Sequence, residues 1–148
     1  MKLTEVIAQH FYEVNYGNNW TDSNVKDSLQ GISFEHAIKQ IGHTNSISLL
    51  VFHMDFYNMV VYNRMVGVTK HFEHEESLQV EIANEVEWQQ LQKTYFENVD
   101  KIHTAILNFD DARLFEEVTT NTPYKNLHGL IEHIHYHLGQ INLLKKLI

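Results

Sequence analysis

The chain contains no cysteine. That excludes disulfides, zinc–thiolate sites and a cysteine nucleophile, so any thiol chemistry must use a thiol supplied from outside. It has one proline, Pro123, and six glycines. So few breakers predict long uninterrupted helices rather than a loop-rich β fold. Basic residues are also scarce: 11 Lys and Arg against 19 Asp and Glu give a formal charge of −8 with histidine neutral. This balance argues against nucleic-acid binding, which needs a basic footprint to offset phosphate charge, and against a polybasic membrane contact. Long hydrophobic runs are missing too. The longest, Ile47 to Tyr62, is broken by His53, Asp55 and Asn58 and is too short to span a bilayer. Met1-Lys2-Leu3-Thr4-Glu5 offers no apolar core of a signal segment, so a cytoplasmic protein is expected. The 148 residues, 43% of them apolar, suit a single domain with a sizeable core.

Histidine is what the chain has in excess, with eleven. Only one pair is spaced i, i+4: His133 and His137. Around them Leu127, Leu130, Ile131, Ile134, Leu138, Ile141 and Leu144 recur at intervals of three and four, the pattern of an amphipathic helix. A strand would place His133, His135 and His137 on one face, but the apolar spacing and the length of the run favour the helix. At about 100° per residue, His133 and His137 lie roughly 40° apart on the edge of the apolar arc. His128 and His135 fall on the opposite side with Glu132 and Lys146, facing water. Two inward imidazoles one turn apart form half of a metal site.

Four principal helices are expected. The first runs from Leu3 to Tyr16, with Leu3, Ile7, Phe11 and Val14 inward, Val6 at the edge and Gly17 as its end. Asn18 to Gly31 reads as a polar loop with a short helical turn, anchored by Trp20. A short helix follows from Phe34 to Gln40, with Ser33 as its N-cap. The second long helix starts at Asn45 or Ser46, runs to Met65 and stops at Gly67. Its wide apolar face holds Leu49, Leu50, Met54, Phe56, Tyr57, Val60 and Val61, with His53 near the centre and Asp55, Asn58 and Tyr62 on the far side. Val68 to Asn84 reads as an exposed connection able to carry site-covering residues. The third long helix spans Glu85 to Leu107, with Trp88, Leu91, Tyr95, Val99, Ile102 and Ile106 inward. Asp110 to Pro123 is a second connection, with Phe115 and Val118 packed. The histidine-bearing fourth helix runs from Tyr124 to Leu147. The expected architecture is an all-α four-helix bundle.

Bundles build metal sites from facing helices. If the second and fourth helices meet at this level, His53, His133 and His137 converge as a facial three-histidine site. Such a site suits Zn²⁺, Ni²⁺ or another borderline divalent ion and leaves positions open. The plainer alternative is a set of satisfied core histidines. His10, His36, His43, His71, His74 and His103 read as surface or loop residues. Gln140, one turn beyond His137, either supports a ligand from behind or caps the core with its amide. Tyr57, one turn after His53, either packs or offers a hydroxyl to a substrate. Glu132 points away from the site, so no general base is evident.

Three segments carry a family resemblance. Asn126-Leu-His-Gly-Leu-Ile-Glu-His-Ile-His-Tyr-His-Leu-Gly-Gln140 resembles the HxxxHxGQ fourth-helix signature of the DinB-like superfamily. These are four-helix metalloproteins related to small-thiol-dependent S-transferases. Asn45-Ser-Ile-Ser-Leu-Leu-Val-Phe-His53 resembles their second-helix ligand motif, and Gly17-Asn-Asn-Trp20 the entry after the first helix. Leu138 departs from the basic residue many relatives carry after the second histidine. The resemblance implies His53, His133 and His137 as metal ligands and a metal-activated external thiol attacking an alkyl or epoxide electrophile. It also implies a homodimer. A hydrolase using metal-bound water, or a non-enzymatic metal-binding or structural bundle protein, are the alternative expectations.

Overall fold

The structure, a computed structural model, describes residues 1–68, 70–117 and 121–148. The described residues are all-α: α1 (Leu3–Tyr16), α2 (Val25–Leu29), α3 (Phe34–Ala37), α4 (Ile47–Met65), α5 (Glu85–Leu107) and α6 (Pro123–Lys145). Two 3₁₀ turns, His74–Leu78 and Asp111–Arg113, interrupt the connections. No helix among the described residues is long and apolar enough to cross a membrane.

Local chemistry sets the ends of these helices. Ser46, Asn84 and Thr122 each accept a hydrogen bond from the backbone N–H three residues on, which satisfies a donor the helix itself leaves free. Glu85 and Glu87 in the first turn of α5 complement its dipole, and Pro123 occupies the first turn of α6, where no N–H is needed. The N-terminus of α1 is capped from far away in sequence. The Asp111 carboxylate accepts from the N–H groups of Leu3 at 2.7 Å and Thr4 at 3.1 Å. Gly17, at φ 133°, ends α1 with its N–H on the Glu13 carbonyl at 2.9 Å, a conformation L side chains resist.

The long helices pack as a closed ring, α4 against α5 and α6, and α1 against the same two. The core is drawn from Ile7, Phe11 and Val14 of α1, Leu50, Val51 and Met54 of α4, Trp88, Tyr95 and Ile102 of α5, and Leu127, Ile134 and Leu138 of α6. The Trp88 indole N–H donates to the Ile32 carbonyl at 2.8 Å, which ties the α2–α3 segment to α5.

Several expectations change. Leu3 is exposed and Thr4 and Ala8 take the inward positions on α1, while Leu91 is only half-buried. The short third helix stops at Ala37. Trp20 is fully exposed; the loop is anchored instead by buried Asn19. The Asn19 amide donates to the carbonyls of Glu13 and Ser23, and its oxygen accepts from Thr21. Phe115 also lies exposed and its neighbour Leu114 is the buried residue, so the chain turns one position away from the expected register. Val118 lies outside the described residues.

The far side of α4 is not a solvent face. Asp55 and Asn58 are buried because α5 covers them, and the Asn98 amide donates to the Asp55 carboxylate at 2.9 and 3.0 Å. Burial pushes the Asp55 carboxyl up to about 6, against a partial pull down from Asn98. A carboxyl raised in the folded state binds more protons there than in the unfolded chain between pH 4 and 6. Stability therefore falls as pH rises through that window. A shift of this size corresponds to about 3 kcal/mol at most, and Asn at this position retains one acceptor for Asn98. Asp55→Asn is expected to stabilise the protein by roughly 1–2 kcal/mol at pH 7.5, with the gain vanishing near pH 4. Urea titrations at the two pH values test this, and an equal change at both would refute the assignment.

Candidate metal centre

His53 sits mid-way along α4, and His133 and His137 stand one turn apart on α6, so the packing of α4 on α6 brings all three together. His53 and His137 are buried and His133 half-buried. The Nε2 atoms face one another. His133 Nε2 lies 3.1 Å from His53 Nε2 and 3.0 Å from His137 Nε2. All three ligand atoms fall within 4.8 Å of each other.

The outward nitrogens decide which tautomers these rings adopt. His137 Nδ1 donates to the Gln140 side-chain oxygen at 2.6 Å. His53 Nδ1 meets the Ser77 hydroxyl at 2.9 Å. That hydroxyl already donates to the His74 carbonyl at 2.6 Å, so its oxygen accepts from His53 Nδ1–H. Both rings therefore turn a bare Nε2 lone pair inward. His133 Nδ1 is buried with no partner. A proton on His133 Nε2 can reach only one of its two neighbours; a proton on Nδ1 leaves three lone pairs converging on one point.

Charge cannot relieve this arrangement. Burial, then the neighbouring His137 and His53, hold the His133 imidazole down at about 3. His53 is lowered by burial, His137 and His74 in that order, with Ser77 acting against. His137 is lowered by burial, with Gln140 opposing. All three are neutral at neutral pH, the form in which imidazole binds a metal. At Zn–N distances of 2.0–2.1 Å, two nitrogens at a tetrahedral vertex pair lie roughly 3.3 Å apart. The two separations from His133 are within a few tenths of an ångström of that value and all three ligand atoms lie within 4.8 Å of one another, so the three histidines could hold a metal ion.

Two further residues stand over this face. The Tyr57 ring is 5.0 Å from both the His53 and His133 rings, and its hydroxyl is 2.9 Å from His74 Nδ1. The His74 ring is 5.8 Å from that of His53. Gln140 stands behind the His137 ring, in contact with its Nδ1. Glu132 is exposed and paired with exposed His128 at 3.3 Å, as its position on the helix implies, yet both residues border a cavity that reaches His133. His135 is half-buried rather than turned to water, its ring 6.2 Å from that of His10 on α1. Sequence reasoning missed Ser77 and the approach of His74. Both belong to a polar connection whose 3₁₀ turn packs on α4, and no periodicity marks such a turn.

The cavity beside His133 has a volume of about 700 Å³ and runs along the α4–α6 groove toward the N-terminus of α6. No family model, curated protein or solved structure matches the chain. What the centre can do must therefore be read from its own geometry.

Proposed function

We propose that the chain is a DinB-like four-helix-bundle metalloprotein and a thiol S-transferase. In this reading His53, His133 and His137 hold a divalent ion, Zn²⁺ or Ni²⁺. The observation that carries this reading is the convergence of three neutral Nε2 atoms, two with fixed tautomers, beside a cavity that reaches one of them. Three borderline nitrogen donors suit these ions, and three protein ligands next to open space fit a site with a position left for an incoming group.

When bound, such an ion acts as a Lewis acid that lowers the pKa of a coordinated thiol. The chain's own residues would do the rest. Ser77 and Gln140 hold the His53 and His137 rings so that Nε2 faces inward. The hydrogen-bonded pair of Tyr57 and exposed His74 lies beside this face and offers a released proton a route to solvent. The absence of cysteine is consistent with a thiol supplied by a second substrate.

The test is conjugation of monochlorobimane to low-molecular-weight thiols, followed by fluorescence. Zinc- or nickel-loaded protein should accelerate it, and His53→Ala should match buffer. Equal rates for loaded wild type and buffer across a range of thiols would overturn the transferase reading.

The supporting hydrogen bonds make their own prediction. Ser77→Ala removes the acceptor from a buried His53 Nδ1–H while changing little volume. The expected result is a 10–100-fold loss of metal affinity, as is usual for outer-shell partners, with a stability loss of about 1–3 kcal/mol because a buried N–H loses its acceptor. Chelator competition measures the first and urea unfolding the second. Unchanged affinity would show that Ser77 does not orient the ligand.

A further inference from the structure

α6 carries a glycine at 129, in the second turn of a long helix, where glycine is the poorest helix former after proline. Packing does not require it. A Cβ built at Gly129 meets no heavy atom of another described element within 4 Å, so none of the described elements presses on the helix there. Nor does the backbone require it, since Gly129 is not among the glycines with positive φ. What lies over Gly129 is the cavity itself. Gly129 is one turn before His133 on the same stripe of α6, and helical side chains lean toward the N-terminus. Any side chain at 129 would thus project into the groove on the Tyr124 and Lys125 side, one turn N-terminal to His133.

The described wall combines apolar groups with the amides of Asn121 and Asn126. Tyr57 and Val61 come from α4, and Tyr124 and Leu130 from α6, two aromatic rings and two aliphatic side chains. Among the described residues the charged groups on this wall are Lys125 and Glu132, of opposite sign and exposed, with His128 paired to Glu132, so they do not select a charge. The volume of about 700 Å³ lies within the usual range for small-molecule sites. A bare helix backbone at glycine lets a flat group approach more closely than any side chain would permit.

We infer that the groove at Gly129 is the seat of a small, uncharged, ring-bearing molecule, lying flat on the α6 backbone between Tyr57 and Tyr124 with its reactive end at His133. In its functional sense this rests on the proposed metal-dependent transfer, where the molecule would be the electrophile. As a binding site it stands on the cavity and the glycine alone.

The probe is 2-naphthol, titrated into ¹⁵N-labelled protein as purified and after zinc loading, with zinc content measured on the same samples. Saturable shifts of the Gly129 amide and its neighbours are expected in both forms. Gly129→Leu fills the groove and should weaken naphthol binding at least tenfold while its Tm equals or exceeds that of wild type. Gly129→Ala should give an intermediate loss. Gly139→Leu places the same side chain on an exposed part of α6 outside the cavity and should leave naphthol binding unchanged. No saturable shift at Gly129, or equal affinity in folded Gly129→Leu, overturns the inference. Zinc binding without naphthol binding would refute the groove and leave the metal centre standing; naphthol binding without zinc binding would do the reverse.

Discussion

His133→Ala is expected to abolish divalent-metal binding at micromolar concentrations, with an affinity loss beyond the roughly 100-fold typical of outer-shell changes. His133 is the middle member of the trio, near hydrogen-bond distance of both other ligand atoms. Without it, two imidazoles on different helices remain. The consequence for stability has an unusual sign. Metal-free wild type keeps a buried His133 Nδ1 without a partner, and such an orphan costs about 1–3 kcal/mol. Alanine removes it, offset by lost packing of a half-buried ring. Metal-free His133→Ala should therefore unfold within about 1 kcal/mol of metal-free wild type. Adding zinc at about 1,000 times its Kd should stabilise wild type by about 4 kcal/mol and the variant not at all. Thermal unfolding with and without zinc separates these terms. Equal zinc-induced shifts in the two proteins would refute the ligand assignment.

Trp88→Ala should have the largest effect on the fold. Trp88 is fully buried near the start of α5, and its indole N–H satisfies the Ile32 carbonyl at 2.8 Å. Alanine leaves a large void and strands that carbonyl, so a loss of about 3–5 kcal/mol is expected. That is a large share of the 5–15 kcal/mol typical of a domain. Trp88→Phe keeps most of the packing and loses the donor, so about 1–3 kcal/mol is expected. Because Trp88 ties α5 to the α2–α3 segment and not to the histidines, variants that remain folded should bind metal as wild type does. Urea unfolding and chelator competition check both statements. A loss below about 1 kcal/mol for Trp88→Ala would show that the segment does not depend on this anchor.

Helix ends and inward stripes were legible because they rest on local chemistry. α5 begins and ends where its pattern places it, and α4 starts just after Ser46, one of the two residues expected to open it. The pairing of His133 with His137 follows from helical spacing, as does the reach of Gln140 back to His137. What stayed hidden depends on which elements become neighbours. A helical wheel sorts α4 into apolar and polar sides, but α5 covers the polar side, so Asp55 and Asn58 are interior residues. Ser77 reaches His53 across 24 positions from a turn without periodicity. Trp20 and Phe115 show the opposite limit. Their size suggests burial, yet Asn19 and Leu114 fill the interior places beside them.

X-ray absorption at the metal edge of the zinc-loaded protein tests the three-histidine centre most directly. The account predicts three imidazole nitrogens at 2.0–2.1 Å with at least one further light-atom ligand, falling to two or fewer imidazoles in His53→Ala. A spectrum with one imidazole or none in wild type, or one unaltered by His53→Ala, would contradict it.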